Sequence, residues 1–309
     1  MEVVRGWHNV HSQHRDCVLT IGNFDGVHRG HQMLIERLLH AKKKYGLPAT
    51  VMIFEPQPNE FFHPEQYVGR LMRLREKLEA LQKTAVDRVL VIPFSANFAG
   101  VSAEKFVETF LSEKLGVKHI IIGDDFRFGF RRQGDVEKLT LLGTLAGFTV
   151  ECMPTLQLEG VRVSSTRVRK ALEDGDLDLA ERLLGHRFAM SGRVAHGDKI
   201  GRTIGFPTAN IHLHRQHVPI QGVMAVRVYG IDEKIYNGVA NVGNRPTVGG
   251  EKVLLEVYLF DFDRDIYGVR VQVEFVKKIR DELKFESVEA MRLKIVEDVE
   301  WARAVFARA

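Results

Sequence analysis

The segment CVLTIGNFDGVHRGH, residues 17–31, joins an apolar run to a glycine-rich turn and a pair of histidines. Its first part, residues 17–22, is short, β-branched and uninterrupted, as in a strand buried on both faces of a parallel sheet. Beyond residue 31, apolar residues recur with helical spacing over residues 34–39. The segment therefore predicts a strand, a turn and a helix in succession, which is the repeating unit of an α/β fold.

The same alternation continues through the first half of the chain. Further apolar runs occupy residues 49–54, 88–94, 119–123 and 148–154, and helical patterns occupy residues 70–83 and 102–116. Strand–helix repetition with right-handed crossovers builds a doubly wound sheet with helices on both faces. The predicted fold class of this half is α/β and Rossmann-like, closed by two helices at residues 164–175 and 176–185.

The pattern changes after Gly185. Short predicted strands then follow one another with turn residues between them, which favours an antiparallel sheet or a small closed β-barrel. The glycine-rich segment 238–250 joins two of these strands and is predicted to be a substrate-gating loop or a plain turn. An amphipathic helix over roughly residues 286–306 follows the last strand. We predict two domains, residues 1–185 and residues 186–309.

The composition is that of a globular protein: of 309 residues, 45% are hydrophobic and 27% are charged. A net charge of +4 is mild, and it suits phosphate-bearing small molecules at least as well as nucleic acid. Cys17 and Cys152 lie in apolar runs and are predicted to be buried thiols in a reducing compartment. The first residues do not resemble a signal peptide, and no apolar segment is long enough to span a bilayer. A cytoplasmic protein without a membrane partner is therefore expected.

His28 and His31 follow the glycine-rich turn with a spacing of three, which places them on one face of the predicted helix. A helix N-terminus beside such a turn presents free N–H groups and a partial positive charge to an anion. The two imidazoles can donate hydrogen bonds to phosphate oxygens that gain charge in a reaction. A plain turn with two solvated or core histidines is the alternative, but the strand, turn and helix together favour phosphate binding.

The segment GRTIGFPTAN, residues 201–210, places Thr208 and Asn210 on the same side of a predicted strand. Their hydroxyl and amide oxygens suit a magnesium ion, although an ordinary turn entering a strand explains the segment equally well. In KVLLEVYLF, residues 252–260, period-two alternation turns Glu256 away from the apolar face. Glu256 is therefore either a solvent-facing carboxylate or an acid in a pocket.

Several separate segments together resemble one known family. They are the His-x-Gly-His form of residues 28–31 and the segments 54–62, 123–129, 163–169, 201–210 and 255–263. In this order they resemble the bacterial bifunctional riboflavin kinase/FMN adenylyltransferases, which are similar in the first segment to the wider nucleotidylyltransferase superfamily. The resemblance implies that the N-terminal domain adenylylates FMN to FAD with release of pyrophosphate. It implies that the C-terminal barrel phosphorylates riboflavin, with ATP and Mg²⁺ used in both reactions.

The resemblance also implies roles for residues of the adenylyltransferase site. The catalytic candidates are His28, His31 and Arg169. The candidates for ATP binding are Gly22, Phe24, Gly30, Ser165 and Thr166, where Phe24 has the flavin side as an alternative. The flavin-binding candidates are Asn23, Asp125 and Arg127.

For the kinase site, the resemblance implies that Glu256 is the general base that takes a proton from the riboflavin 5′-hydroxyl. Thr208 and Asn210 become ligands of the metal and the nucleotide. The candidates for ATP binding are Gly201, Gly205, Lys199 and Arg202, and the flavin-binding candidate is Arg280.

Two alternatives compete with this interpretation. One is a nucleotidylyltransferase for another acceptor, in which the barrel domain is not catalytic. The other is a flavin- or RNA-binding module without turnover, but the sequence has no aromatic RNA-binding strand motif. The expected partners are therefore the small molecules ATP, riboflavin and FMN, without nucleic acid, and the sequence carries no signal for an oligomeric state.

Overall fold

The computed structural model describes residues 1–64, 69–197, 200–215, 217–247 and 250–308. Its backbone divides into two compact units, Met1–Tyr67 with Met72–Ser164, and Val68–Leu71 with Ser165–Ala309. Residues 165–185 therefore group with the second unit. The predicted boundary at residue 186 concerns the two enzymatic domains, and it stays a prediction.

The first unit is built on a six-stranded parallel sheet with the strand order β1-β4-β3-β2-β5-β6. The strands are β1 (Glu2–Arg5), β2 (Val18–Ile21), β3 (Ala49–Glu55), β4 (Arg88–Pro93), β5 (His119–Gly123) and β6 (Thr149–Met153). A small hairpin follows, made of β7 (Gln157–Leu158) and β8 (Val161–Arg162). All five predicted strands are present, and β1 adds an edge strand that the sequence did not predict.

The helices of this unit are α1 (Arg29–Tyr45), α2 (Pro58–Phe62), α3 (Leu74–Gln82), α4 (Ala96–Ala99), α5 (Ala103–Lys105) and α6 (Val136–Ala146). The helix predicted over residues 102–116 begins after the Ser102 cap as α5 and continues as a π-helix over Phe106–Lys114. Short 3-10 turns lie at Trp7–Asn9, Ser12–His14, Asp25–Val27 and Phe130–Arg132.

Two hydrophobic cores lie on opposite faces of the sheet. Because side chains alternate along a strand, Leu19 of β2 packs with the π-helix and α6 on one face, whereas Val18 packs with α1 and α3 on the other. The core residues of α1 are Ile35, Leu38 and Ala41. The predicted doubly wound α/β fold is thus confirmed.

Strand β6 differs from its prediction because it lies at the edge of the sheet. Its residues are partly or fully exposed, whereas those of the central strand β2 are buried. The prediction of a buried thiol is correct for Cys17 and wrong for Cys152, which is exposed on this edge strand. An apolar run does not reveal whether its strand lies in the middle of a sheet or at its border.

The second unit contains a closed six-stranded barrel with the order β10-β13-β12-β11-β14-β9. The strands are β9 (Ala189–Ala195), β10 (Thr208–His212), β11 (Gly222–Tyr229), β12 (Tyr236–Thr247), β13 (Gly250–Leu259) and β14 (Arg270–Arg280). All neighbouring strands pair antiparallel, so the predicted barrel is confirmed. The segment 238–250 is mostly the strand β12, so its prediction as a loop or turn is wrong.

The helices of the second unit are α7 (Ser165–Glu173), α8 (Leu177–Leu184), α9 (Ile200–Thr203) and α10 (Val288–Ala307). Leu255 and Val257 of β13 fill the barrel interior, and Val299 and Ala302 of α10 cover part of the outer surface. The face of β13 that carries Glu256 and Tyr258 therefore points outward from the barrel. In the described part of the chain, no helix has both the length and the apolar character that a bilayer crossing requires.

Candidate active sites

The two predicted segments at residues 22–31 and 123–129 follow adjacent strands of the parallel sheet. Strands β2 and β5 are neighbours, with Thr20 opposite Ile121, while β3 lies on the other side of β2. The strand order reverses at this point, and open α/β sheets bind ligands beyond the carboxyl ends of the strands there. The fold thus places both segments at the same crevice.

The turn between β2 and α1 has an unusual backbone. Phe24 (φ 49°), Gly26 (φ 82°) and Val27 (φ 41°) all have left-handed backbone angles. A β-branched residue such as Val27 adopts this region only when surrounding contacts impose it. The contacts here include full burial of the Phe24 ring and a hydrogen bond from the Met72 amide to the Asp25 carboxylate at 2.9 Å. The turn is therefore held in one shape.

His28 and His31 form a stacked pair at the beginning of α1. Their ring centroids lie 3.6 Å apart with an interplanar angle of 17°, and the Phe24 ring lies 4.9 Å from that of His31. His28 is the N-cap residue, and its Nδ1 accepts a long hydrogen bond of 3.4 Å from the His31 amide. Because Nδ1 acts as an acceptor, the proton of a neutral His28 lies on Nε2.

The environment of His31 keeps its imidazole neutral. Its Nδ1 is buried and has no hydrogen-bond partner among the described residues. Burial, followed by the charges of His28 and Lys77, holds the pKa of His31 well below its usual value of 6.5. Lys77 is fully buried in α3, and the sequence analysis did not select it. Its position in an amphipathic helix gave no signal, since lysine is ordinarily a surface residue.

Gly22 and Gly30 make room for the aromatic rings of this turn. A Cβ atom at Gly30 would lie 3.2 Å from the His28 ring, and one at Gly22 would lie 3.1 Å from the Phe24 ring. Both distances are shorter than ordinary van der Waals contact. The glycines are thus explained by ring packing, and their predicted contacts with ATP stay predictions.

The flavin-side candidates follow the same two strands. The Asp125 carboxylate forms an ion pair with Arg162, and the Arg127 guanidinium donates to the Phe126 carbonyl oxygen at 2.9 Å. Both Asp125 and Arg127 are exposed, and Asn23 is partly exposed. These side chains are accessible from solvent at the edge where a ligand of the switch point would bind.

The predicted triphosphate-binding residues belong to the second unit. Ser165 begins α7, Thr166 is exposed, and the Arg169 Nε donates to the Gly69 carbonyl oxygen at 2.8 Å. The histidine pair belongs to the first unit. The joint action of His28, His31 and Arg169 on one nucleotide therefore stays a prediction.

The kinase candidates lie along two paired strands of the barrel. Thr208 stands opposite Tyr258, and Asn210 stands opposite Glu256. Residues directly opposite each other in an antiparallel pair project to the same face. Thr208 and Asn210 hence share one face, as strand alternation predicted, and the pairing of the strands adds Glu256 to that face. All three side chains are partly buried rather than fully solvated.

The segment before β10 approaches these side chains closely. A Cβ atom at Gly201 would collide with the Phe206 carbonyl oxygen and would lie 3.3 Å from the Thr208 hydroxyl. A Cβ atom at Gly197 would collide with the Asn210 amide. Gly205 has a left-handed φ of 85°, which favours glycine. Gly201 thus lies beside Thr208, and Gly197 lies beside Asn210.

Two basic candidates, Lys199 and Arg202, belong to the same stretch of the sequence. Arg202 is exposed at the end of α9, and Lys199 lies outside the described residues. Arg280, the flavin-binding candidate, lies at the end of β14, and its guanidinium donates to both carboxylate oxygens of Asp298. Its predicted contact with flavin stays a prediction.

Asn241 is a residue of this region that the sequence analysis missed. It stands opposite Glu256 on the other flank of β13, and its amide contacts Glu282. Residues 234–243 were predicted as a strand, but a local pattern does not reveal that Asn241 stands opposite Glu256, because this depends on the register of β12 and β13.

Comparison with protein families agrees with the two-unit architecture. Residues 10–167 match the family model described as FAD synthetase, and residues 184–306 match the model described as riboflavin kinase. The second match covers the barrel, which speaks against the alternative of a non-catalytic barrel domain.

Similar proteins match along their whole length. The chain is 49% identical over 306 residues to the bifunctional riboflavin kinase/FMN adenylyltransferase of Haemophilus influenzae. The match covers 99% of this chain and 99% of the relative. It is 50% identical over 307 residues to the enzyme of the same name from Escherichia coli K12, covering 99% of this chain and 98% of the relative. A solved structure of a Streptococcus pneumoniae protein, described as a macrolide-efflux protein, has a TM-score of 0.86 at 33% identity. It covers 98% of this chain and 99% of that one.

A doubly wound unit with a histidine pair at its switch point, and a barrel in which Glu256 stands between two asparagines, fit a two-part transferase of phosphorus groups, as the two family models indicate. The chain belongs to the bifunctional riboflavin kinase/FMN adenylyltransferase family. It is accordingly a riboflavin kinase and an FMN adenylyltransferase.

Proposed function

We propose that the His28–His31 turn serves the adenylylation of FMN to FAD, and that the row around Glu256 serves the phosphorylation of riboflavin to FMN. The two activities follow from family membership. The assignment of residues to each step is the proposal.

In the adenylyl transfer, a phosphate oxygen of FMN attacks the α-phosphorus of ATP and pyrophosphate leaves. Negative charge shifts toward the leaving phosphate oxygens, so fixed donors aimed at them lower the barrier. The Nε2 proton of His28 and the neutral ring of His31 are such donors, held by the stack and by the first turn of α1. This stacked pair, 3.6 Å apart at a helix N-terminus, is the observation that carries the proposal.

The other candidates for this reaction have the following proposed roles. Arg169 adds a positive charge to the transition state, and Ser165 and Thr166 hold the triphosphate. The remaining candidates divide between the substrates, with Gly22, Phe24 and Gly30 on the ATP side and Asn23, Asp125 and Arg127 on the flavin side. The exposure of Asp125 and Arg127 supports this, because a bound flavin needs accessible polar groups.

In the kinase reaction, Glu256 accepts the proton of the riboflavin 5′-hydroxyl as that oxygen attacks the γ-phosphorus of ATP and ADP leaves. The pairing of Glu256 with Asn210 supports this role, because it sets the carboxylate next to the proposed phosphate-binding residues. Gly201, Gly205, Lys199 and Arg202 are proposed to contact the phosphates, and Arg280 to contact the flavin.

Mg²⁺ is the metal that the family chemistry implies, and the donor set on β10 fits it. The Thr208 hydroxyl and the Asn210 amide oxygen are hard ligands on one face of the strand, suited to an ion that keeps several waters. Thr208 and Asn210 would hold the ion, which when bound neutralises charge on the ATP phosphates. Gly201 and Gly197 allow the backbone to lie close to these two side chains, because an added Cβ at either position would collide with neighbouring atoms.

The test is a product assay by chromatography on the purified protein with riboflavin, ATP and Mg²⁺. The wild type should form FMN and FAD. Glu256→Gln should lose FMN formation from riboflavin but still convert added FMN to FAD, and the exposed Glu233→Gln should behave as wild type. Retention of riboflavin phosphorylation by Glu256→Gln would refute the general base.

We also propose that the protein works in the cytoplasm. Cys17 and Cys152 are both free thiols, as is usual in a reducing compartment. Measuring the thiol content of the protein as isolated from fractionated cells tests this proposal.

A further inference from the structure

Asn241, Glu256 and Asn210 form a polar row across three adjacent strands of the barrel. Glu256 of β13 stands opposite Asn210 of β10 on one side and opposite Asn241 of β12 on the other. Directly opposed residues in antiparallel pairs project to the same face, with Cβ atoms about 4.5–5.5 Å apart. Glu256 therefore stands between two asparagines on the outward face of the barrel.

The amide of Asn241 has a fixed orientation. Its Nδ2 donates to the Glu282 carboxylate at 3.3 Å, and a carboxylate can only accept hydrogen bonds when ionised. The amide nitrogen must therefore face Glu282, and the carbonyl oxygen must face away from it. Glu282 is itself close to β12, since a Cβ atom at Gly243 would collide with its carboxylate.

The Oδ1 atom of Asn241 is buried and has no hydrogen-bond partner among the described residues. Buried polar atoms ordinarily have a partner, so an unsatisfied acceptor beside a catalytic candidate indicates a ligand that supplies a donor. The phosphate oxygens of ATP only accept hydrogen bonds. The flavin substrate, in contrast, carries several hydroxyl donors along its ribityl arm, beside the 5′-hydroxyl that Glu256 would deprotonate.

We propose that the Asn241 carbonyl oxygen accepts a hydrogen bond from a secondary ribityl hydroxyl and so positions the 5′-hydroxyl between Glu256 and ATP. The inference rests on the proposed function of Glu256. Asn241 is in this role a specificity residue for the polyol arm, and Glu282 and Gly243 are the residues that orient it.

The experiment combines the Asn241→Ala variant with flavins that each lack one secondary hydroxyl: 2′-, 3′- and 4′-deoxyriboflavin. With riboflavin, Asn241→Ala should raise KM on the order of 10-fold, the effect of one lost hydrogen bond. With the analogue that lacks the bonded hydroxyl, wild type and variant should have the same KM. Equal losses with riboflavin and all three analogues, or no loss with riboflavin, would overturn the inference.

Two controls separate this result from misfolding and from failure of the kinase assignment. Asn237→Ala removes an asparagine from the same face of β12, four residues or about 13 Å away, and should leave KM unchanged. Conversion of FMN to FAD by Asn241→Ala should also match wild type. Glu256→Gln is assayed in parallel. If this variant phosphorylates riboflavin normally, the kinase proposal itself fails. If it is inactive, but Asn241→Ala raises KM equally with riboflavin and all three analogues, only the ribityl contact is overturned.

Discussion

Arg280 and Asp298 join the last strand of the barrel to the C-terminal helix through a nearly buried ion pair. The guanidinium donates from Nε and Nη2 to the same carboxylate, at 2.9 Å and 2.7 Å to Oδ2, and Asp298 is only 2% exposed. Removal of one partner of a buried pair leaves the other charge without compensation. This contact therefore makes the strongest prediction about stability.

Asp298→Ala should lower the free energy of unfolding by about 3–5 kcal/mol, because the Arg280 charge would remain in a poorly solvated position. Chemical denaturation, followed by circular dichroism, measures this change. Glu289→Ala breaks the exposed pair with Arg292 and should cost less than about 1 kcal/mol. Similar losses in both variants would contradict the account.

His31→Ala should reduce FAD formation from FMN on the order of 100-fold or more, the usual effect of one lost donor to a charged transition state. Formation of FMN from riboflavin should be unchanged, because that chemistry is assigned to the barrel. Rates of both reactions are measured on the same preparation. His40→Ala, an exposed histidine on the same helix, is the matched control. Loss of both activities in a folded His31→Ala protein would disprove the division of labour.

His31 should also make stability depend on pH. Its pKa is lowered by burial in the folded state, so the unfolded chain takes up a proton near pH 6.5 while the folded chain does not. The free energy of unfolding should thus fall as the pH drops below about 6.5, and His31→Gln should flatten that dependence.

Denaturation curves between pH 7.5 and pH 5 measure this slope. Burial also lowers the pKa of His119, which adds a contribution of the same sign. His119→Gln should therefore remove only the contribution of His119 to the pH dependence of the free energy of unfolding, and the contribution of His31 should remain. An identical slope in the wild type and in His31→Gln is the result that the structure does not allow.

Gly30→Ala should separate activity from stability. The added Cβ would lie 3.2 Å from the His28 ring and would push it by a few tenths of an ångström. Misplacement of a catalytic group is costly, so FAD formation should drop about 10-fold or more. Replacing glycine within a helix with alanine raises the free energy of unfolding by about 0.5–1 kcal/mol, so the melting temperature should not fall. Gly100→Ala is the control, because an added Cβ there would make only ordinary van der Waals contacts and the backbone angles are ordinary. Full activity of Gly30→Ala would contradict the packing argument.

Local patterns in the sequence were sufficient for most of the fold. The uninterrupted run at residues 17–22 predicted a central strand, and alternation around Glu256 gave the face on which it lies. The edge strand β1 escaped prediction because its four residues show no periodicity long enough to detect. Exposure of Cys152 could not be read from its neighbours, because the sheet position of β6 depends on pairing with distant strands.

In the candidate sites too, local features could be predicted from the sequence, whereas features that depend on distant residues could not. Spacing was enough to bring His28 and His31 together, because a helix fixes residues three apart. The partnership of Asn241 with Glu256 depends on the register of two strands, and the burial of Lys77 depends on how α3 packs. Both are long-range properties that no local pattern encodes.

The grouping of α7 and α8 with the barrel has a consequence for dividing the protein. Lys277 of β14 forms an ion pair with Asp178 of α8, and Gly175, between the two helices, lies against the Lys278 side chain. A fragment that starts at residue 186 would lack α8 and Gly175, and with them these contacts to β14. Limited proteolysis that yields two persistent halves should accordingly cut near residue 164.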